Sequence, residues 1–107
     1  MSRHSAVELL FWAGCPSYPE ALAELQRILR EESVGTSVEL VEVTSDEQAQ
    51  RERFPGSPTI RINGHDIVPP GDTEPFSLTC RVYRTRDGRI SPTPDPEDVR
   101  DAVRRAA

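Results

Sequence analysis

Two β-like stretches with one helical stretch between them occupy residues 6–43, and this order constrains the fold more than any other feature of the chain. Residues 6–12 are apolar except for Glu8, a pattern that favours an inner strand of a covered sheet. Apolar residues then follow helical spacing over 21–29, and residues 37–43 are β-branched and alternating. A strand, a helix and a second strand predict two parallel strands joined by a right-handed crossover.

Two capping boxes mark where the first two helices should begin. Ser17 and Glu20 have the S-x-x-E spacing, which places Pro19 in the first helical turn, where its missing N–H is harmless. Residues 44–47 repeat this pattern and predict a short polar helix that ends near Arg53. Each strand of the predicted parallel pair is therefore followed by a helix.

The remaining elements are a hairpin, a further strand and a last helix. Asn63-Gly64, between two short apolar runs, is a strong signal for a hairpin with a type I′ turn. Residues 77–84 predict a further strand, and Asp95 is a natural N-cap for a helix with Pro96 in its first turn. The whole order predicts an α/β fold, in which a mixed sheet of four or five strands has helices on both faces.

Size and charge limit the number of domains, the partners and the compartment. A chain of 107 residues has the usual size of one domain, so we expect a single domain over residues 1–107. Because the net charge is −5 and no basic cluster is present, we expect neither nucleic acid nor an anionic membrane as a partner. The sequence has no bilayer-length apolar run and no signal-peptide pattern, which predicts a cytoplasmic location. It leaves the oligomeric state open.

The chain has two cysteines, Cys15 and Cys80, which are too few for a disulfide framework. They are far apart in sequence and belong to no Cys-x-x-Cys or Cys-His pattern, so the sequence predicts no zinc-type metal site and no cofactor. Cys15 lies just ahead of the first helix. It is either a reactive thiol at a strand-to-helix junction or a small apolar residue packed in a turn.

Two stretches, together with the order of elements, resemble the thioredoxin-like superfamily. Residues 11–16, FWAGCP, are similar to the passage from the first strand into the active site of these proteins. Residues 57–64, SPTIRING, are similar to the cis-proline loop, third strand and hairpin turn of glutaredoxins. More narrowly, the chain resembles small bacterial thioredoxin family proteins that are often labelled alkylmercury lyase. Residues 69–91 have no counterpart in this resemblance.

The resemblance implies a thioredoxin-like fold and a thiol–disulfide oxidoreductase that acts on protein or low-molecular-weight thiols and disulfides. Cys15 would be the nucleophile, because open N–H groups at a helix N-terminus stabilise a thiolate. Pro58 would be cis and packed opposite Cys15, and Ser57 would offer its backbone to an extended thiol-bearing substrate. Two aromatic residues complete the candidate substrate-binding surface: Tyr18 would pack over the site, and Trp12 either fills the core or walls the site.

The chain departs from the resemblance at Tyr18, which occupies the position of the second cysteine in a Cys-x-x-Cys motif. Cys80 then has two interpretations. It is either a distant resolving thiol that the loop 69–77 brings to Cys15, or a small buried residue on a strand. The alternation predicted for 77–84 favours burial.

Two other functions stay open on the same residues. One is a non-catalytic thioredoxin-fold module that binds a partner along the edge formed by Ser57 and Pro58. The other is a protein that binds soft, mercury-type metal ions through its thiols, because thiolates select soft metals. Cleavage of a carbon–mercury bond would also need a proton donor, and the sequence assigns none.

Overall fold

Three helices and six short strands make up the described part of the chain. The structure is a computed structural model that describes residues 6–106, so residues 1–5 and 107 of the predicted domain lie outside the described residues. In chain order the elements are β1 (Val7–Phe11), α1 (Tyr18–Glu31), β2 (Val38–Glu42), α2 (Asp46–Glu52), β3 (Thr59–Ile62), β4 (His65–Asp66), β5 (Tyr83–Arg84), β6 (Ile90–Ser91) and α3 (Pro96–Ala106). None of these helices is long and apolar enough to cross a membrane.

The central sheet has four strands in the order β2-β1-β3-β4. β1 is parallel to β2 and antiparallel to β3, which confirms the predicted parallel pair and the mixed sheet. Glu8, the polar residue of this inner strand, lies opposite Arg61 of β3. The carboxylate and the guanidinium are 3.4 Å apart, so the charge in the middle of the sheet has a partner.

Apolar residues of β1 supply two cores on opposite faces of the sheet. Val7 and Leu9 pack with residues of α1 and α3, whereas Leu10 packs with Ala49 of α2 and with Phe54. The helices therefore cover both faces, as predicted. The described residues form a mixed α/β domain in which β1 runs between the two cores and ends at the junction that holds Cys15.

The two predicted capping boxes are corrected by the structure. Ser17 has helical backbone angles, with φ −88° and ψ −11°, and its side chain makes no capping hydrogen bond. The predicted side-chain cap is therefore wrong, although Pro19 lies in the first turn as expected. At α2 the cap is Ser45 rather than Thr44, because the backbone becomes helical one residue later than predicted. Ser45 Oγ accepts a hydrogen bond from the N–H of Gln48 at 3.0 Å.

The predicted hairpin and the predicted last helix are both confirmed. Asn63 and Gly64 have φ values of 55° and 83°, the positive pair that a type I′ turn requires. At the start of α3, Asp95 Oδ1 accepts a hydrogen bond from the N–H of Glu97 at 2.9 Å. The turn chemistry of the sequence therefore defines these two elements correctly.

The strand predicted over 77–84 is wrong for most of its length. Only its last two residues form a strand, β5, which pairs with β6 in a separate two-stranded sheet. The earlier residues direct their N–H groups elsewhere: that of Ser77 donates to the carbonyl of Phe54, and that of Leu78 donates to Asp46. Because this segment binds the loop that precedes β3, the central sheet has four strands and not five.

Candidate functional site

Cys15 lies in the turn between β1 and α1, and none of its surface is exposed. Its N–H donates to the carbonyl of Trp12 at 3.0 Å, which closes the turn. Its thiol donates to the carbonyl of Ser57, with 3.5 Å between sulfur and oxygen. This contact joins the turn after β1 to the loop before β3, two segments far apart in sequence.

The peptide bond between Ser57 and Pro58 is cis, the geometry that the sequence resemblance implies. Both residues are fully buried. The hydroxyl of Ser57 has no hydrogen-bond partner among residues 6–106. A buried hydroxyl without a partner costs free energy, and this one belongs to the residue whose carbonyl contacts the sulfur of Cys15.

Residues 79–81 occupy the backbone of Ser57. The N–H of Ser57 donates to the carbonyl of Thr79, and the carbonyl of Ser57 accepts from the N–H of Arg81, both at 2.8 Å. The expectation that Ser57 offers its backbone to a substrate is therefore not met, because the chain itself uses both groups. The residue between these two partners is Cys80, which forms a parallel bridge with Ser57.

Exposure alternates along the segment that carries Cys80. Two of its residues point into the protein, Arg81 and Tyr83, and three point outward, Cys80, Val82 and Arg84. The interpretation of Cys80 as a buried strand residue is wrong, because the buried residues of this segment are Arg81 and Tyr83. Cys80 is an exposed thiol beside a buried one.

Arg81 and Tyr83 anchor this segment to the cis-proline loop. The guanidinium of Arg81 donates to Asp66 at 2.9 Å and to the hydroxyl of Thr59 at 3.2 Å. It also lies 4.7 Å from the centre of the Tyr83 ring. The hydroxyl of Tyr83 donates to the carbonyl of Pro58, and burial raises the pKa of this phenol far above its usual range, which keeps it a donor. The segment that had no counterpart in the resemblance thus completes the site.

A glycine permits the close approach between this segment and the loop. Gly56 has φ 144°, and a Cβ placed there would lie 3.0 Å from the backbone of Arg81. The sequence predicts an irregular segment around Gly56, but it does not predict the contact with Arg81. The signal was present, since a glycine directly before Ser57-Pro58 marks a loop that another chain segment can approach closely.

Hydrogen bonds determine which of the two thiols carries negative charge. Burial alone raises the pKa of Cys15, but donors from three residues, the Cys80 thiol, the N–H and hydroxyl of Ser17 and the Ser57 hydroxyl, together hold this pKa below its ordinary value. The pKa of Cys80 is raised, first because its thiol hydrogen-bonds to Cys15 and then through burial and the negative charge on Cys15. In the reduced pair, Cys15 therefore loses its proton at a lower pH than Cys80 does.

Ser17 is the site residue that sequence reasoning missed. The capping-box pattern predicts that its hydroxyl caps the helix, but this hydroxyl makes no capping hydrogen bond in the structure. Its N–H and its hydroxyl instead lower the pKa of Cys15. The N–H is one of the donors that a helix start leaves without a partner inside the helix. The predicted stabilisation of a thiolate ahead of α1 thus has a specific donor.

The two aromatic candidates use their rings in packing. Tyr18 stacks on Phe11 with 4.2 Å between ring centres and packs against the core beneath α1 and α3. Trp12 packs against the other core, and its ring closes over Gly14, where an added Cβ would lie 2.4 Å away. The carbonyl of Trp12 reaches Cys15, and substrate contact by either ring stays a prediction.

Within residues 6–106, no group of three or more His, Cys, Asp or Glu side chains is placed to hold a metal ion. Comparisons with protein-family models, curated proteins and solved structures give no match. The thiol pair and the segments around it therefore carry the functional argument.

Proposed function

We propose that this protein is a thiol–disulfide oxidoreductase of thioredoxin-like fold, with Cys15 and Cys80 as its redox pair. One observation carries the proposal: the sulfur of Cys15 contacts the carbonyl of Ser57, Cys80 from a distant segment is bridged to the same residue, and the neighbouring thiol lowers the pKa of Cys15. Two neighbouring thiols of which one has a lowered pKa are suited to disulfide exchange, because the thiolate is the nucleophile.

The fold proposal is supported by the placement of the elements around the thiols. The parallel β1 and β2 are joined through α1, and the β3–β4 hairpin adds antiparallel strands to the same sheet. The cis peptide bond before Pro58 lies beside Cys15 at the start of α1. These features agree with the resemblance of residues 11–16 and 57–64 to thioredoxin-like proteins.

The proposed reaction exchanges two electrons between the cysteine pair and a disulfide of a protein or of a low-molecular-weight thiol. One protein sulfur forms a mixed disulfide and releases the first substrate thiolate. The second protein sulfur then displaces the substrate and leaves a bond between Cys15 and Cys80. The missing Cys-x-x-Cys partner of Cys15 is thus replaced by a cysteine from the segment that binds Ser57.

A reductase assay with a peptide disulfide and excess dithiothreitol tests this proposal. We expect the wild type to accelerate the reaction and both Cys15→Ser and Cys80→Ser to lose activity by about tenfold or more, because each removes one sulfur of the pair. Ser45→Ala serves as the control, since it weakens a helix cap and leaves both thiols in place. Full activity in either cysteine variant would refute a shared redox pair.

Soft-metal capture is a second candidate, and the same adjacent sulfurs favour it. Thiolates select soft ions, and two sulfurs are enough for two-coordinate binding. Titration with mercuric ion or with copper(I) should then give one bound ion per chain and lose affinity in both serine variants. One bound ion without any disulfide reductase activity would favour this candidate over the first. The binding-module alternative has no such support, because the Ser57 edge is occupied by the chain itself.

A further inference from the structure

We infer that Cys80, rather than Cys15, is the sulfur that forms the mixed disulfide with the substrate, and that Cys15 is the nucleophile of the second, intramolecular step. This inference rests on the proposed redox pair and assigns the order in which its two sulfurs act. It reverses the roles that the sequence resemblance implies.

Access to the two sulfurs supports this order. Cys15 has no exposed surface, whereas Cys80 is exposed on the outward side of its segment together with Val82, which is 67% exposed. In disulfide exchange the attacking sulfur, the attacked sulfur and the leaving sulfur lie in one line. The protein sulfur that exchanges with the substrate must therefore be open to the outside. Cys80 meets this requirement in the folded protein and Cys15 does not.

The difference in acidity does not outweigh the difference in access. A lower pKa gives Cys15 more thiolate at neutral pH. The nucleophilicity of a thiolate falls with its pKa, however, with a Brønsted coefficient of about 0.4 to 0.5, so much of this advantage is cancelled. A buried thiolate is better suited to attack a sulfur held close to it. Cys80 is held there by its bridge to Ser57, whose carbonyl lies 3.5 Å from the sulfur of Cys15.

Reduction of a substrate disulfide takes two successive exchanges, first at Cys80 and then at Cys15. Cys80 loses its proton and attacks one sulfur of the substrate disulfide as a thiolate. The substrate S–S bond breaks as the new bond to Cys80 forms, and the departing substrate sulfur takes up a proton. The Cys15 thiolate then attacks the sulfur of Cys80, forms the Cys15–Cys80 bond and releases the second substrate thiolate. Both electrons come from the two cysteines. In the reverse direction a substrate thiolate attacks Cys80, and Cys15 leaves as a thiolate that Ser17 and Ser57 stabilise.

Glutathione disulfide is the probe that tests this order. With Cys15→Ser it should modify Cys80 about tenfold or more faster than it modifies Cys15 in Cys80→Ser, because access differs. In urea the two variants should react at similar rates, which is the control for burial. In the wild type, acid quenching at early times should trap glutathione on the peptide that contains Cys80. This last measurement needs no substitution and so does not depend on how the variants fold.

Different results would contradict the order of the two sulfurs and the redox pair itself. Glutathione trapped on Cys15 in the wild type, or faster modification of Cys15 than of Cys80 in the folded variants, would overturn the inference and leave the redox pair intact. Reaction at Cys80 without any later bond to Cys15 would overturn the proposed function itself.

Discussion

At the scale of single residues, the thiol of Cys15 is buried and still prepared to ionise. Burial opposes the charge, and hydrogen bonds from Ser17, Ser57 and Cys80 more than offset it. Ser17 therefore contributes to lowering the pKa of Cys15 and does not cap the helix with its side chain. The sequence pattern does not distinguish these two roles.

We expect Ser17→Ala to raise the pKa of Cys15, because it removes a hydroxyl that donates to the thiolate. The ultraviolet absorbance of the thiolate, followed against pH, measures this change. The matched control is Ser45→Ala, which removes a true cap and should lower the free energy of unfolding by about 1 kcal/mol while leaving the thiolate titration in place. A larger loss of stability from Ser17→Ala than from Ser45→Ala would show that Ser17 is a capping residue after all.

The sequence predicted part of this site at the residue scale. Cys15 lies beside the Ser57–Pro58 loop, where the two matched stretches indicated it would lie. The role of Ser17 was not predictable, because S-x-x-E spacing is the same whether the hydroxyl turns to the helix or to a sulfur. The exposure of Cys80 was not predictable either. Cys80 points outward because its neighbour Arg81 is buried and bound to Asp66, a contact that local alternation does not predict.

At the scale of elements, the segment 77–84 decides whether the chain has one thiol at its site or two. Its composition is typical of a strand, but its backbone binds the loop 54–58 instead of the edge of the central sheet. Local propensity cannot choose between these two partners, since both offer carbonyl groups to the same N–H donors. The choice depends on Gly56 and on the buried side chains of Arg81 and Tyr83, which fit this one placement.

Tyr83→Phe should loosen this segment without unfolding the domain. It removes the hydrogen bond to the carbonyl of Pro58, worth about 1 kcal/mol, and keeps the ring under Arg81. Hydrogen exchange of the Ser57 and Arg81 amides, which join the segment to the loop, should then accelerate about fivefold. Tyr18→Phe is the control and should leave these two amides unchanged. Equal acceleration throughout the central sheet would contradict a local anchoring role.

A second test at this scale concerns the contact between the segment and the loop. Gly56→Ala should reduce the free energy of unfolding by about 2 kcal/mol, because it forces an L side chain into a positive φ and against the backbone of Arg81. Gly35→Ala is the matched control, since a Cβ there meets nothing within 4 Å, and it should be nearly neutral. Urea denaturation measures both. Similar stability of the two variants would mean that the segment can move away at little cost.

At the scale of the whole molecule, a bond between Cys15 and Cys80 would close a loop that includes α1, α2 and three strands of the central sheet, β2, β3 and β4. Both cysteines lie next to Ser57 in the reduced protein, so this bond should form without rearranging either core. Loop closure of this length predicts that the oxidised protein is more stable than the reduced one by about 4 kcal/mol. Urea denaturation with and without dithiothreitol measures the difference, and an oxidised form less stable than the reduced one would indicate a strained, non-native pairing.

The order and pairing of the first elements were predictable from sequence, because each is defined by a period, a cap or a turn within its own residues. Residues 6–43 show the strand-helix-strand order, and Asn63-Gly64 defines the hairpin. The path after β4 was not predictable. It depends on long-range contacts among residues such as Gly56 and Arg81, which have no local periodicity.

The central claim is that Cys15 and Cys80 form one reversible redox pair. Non-reducing peptide mapping of the wild-type protein, equilibrated in glutathione buffers of increasing oxidation, tests it most directly. We expect a monomer whose mass falls by two hydrogens and whose digest contains one linked pair of peptides, one with Cys15 and one with Cys80. Reduction should return both cysteines to thiols. Glutathione adducts or intermolecular dimers at every buffer ratio, without that linked pair, would contradict it.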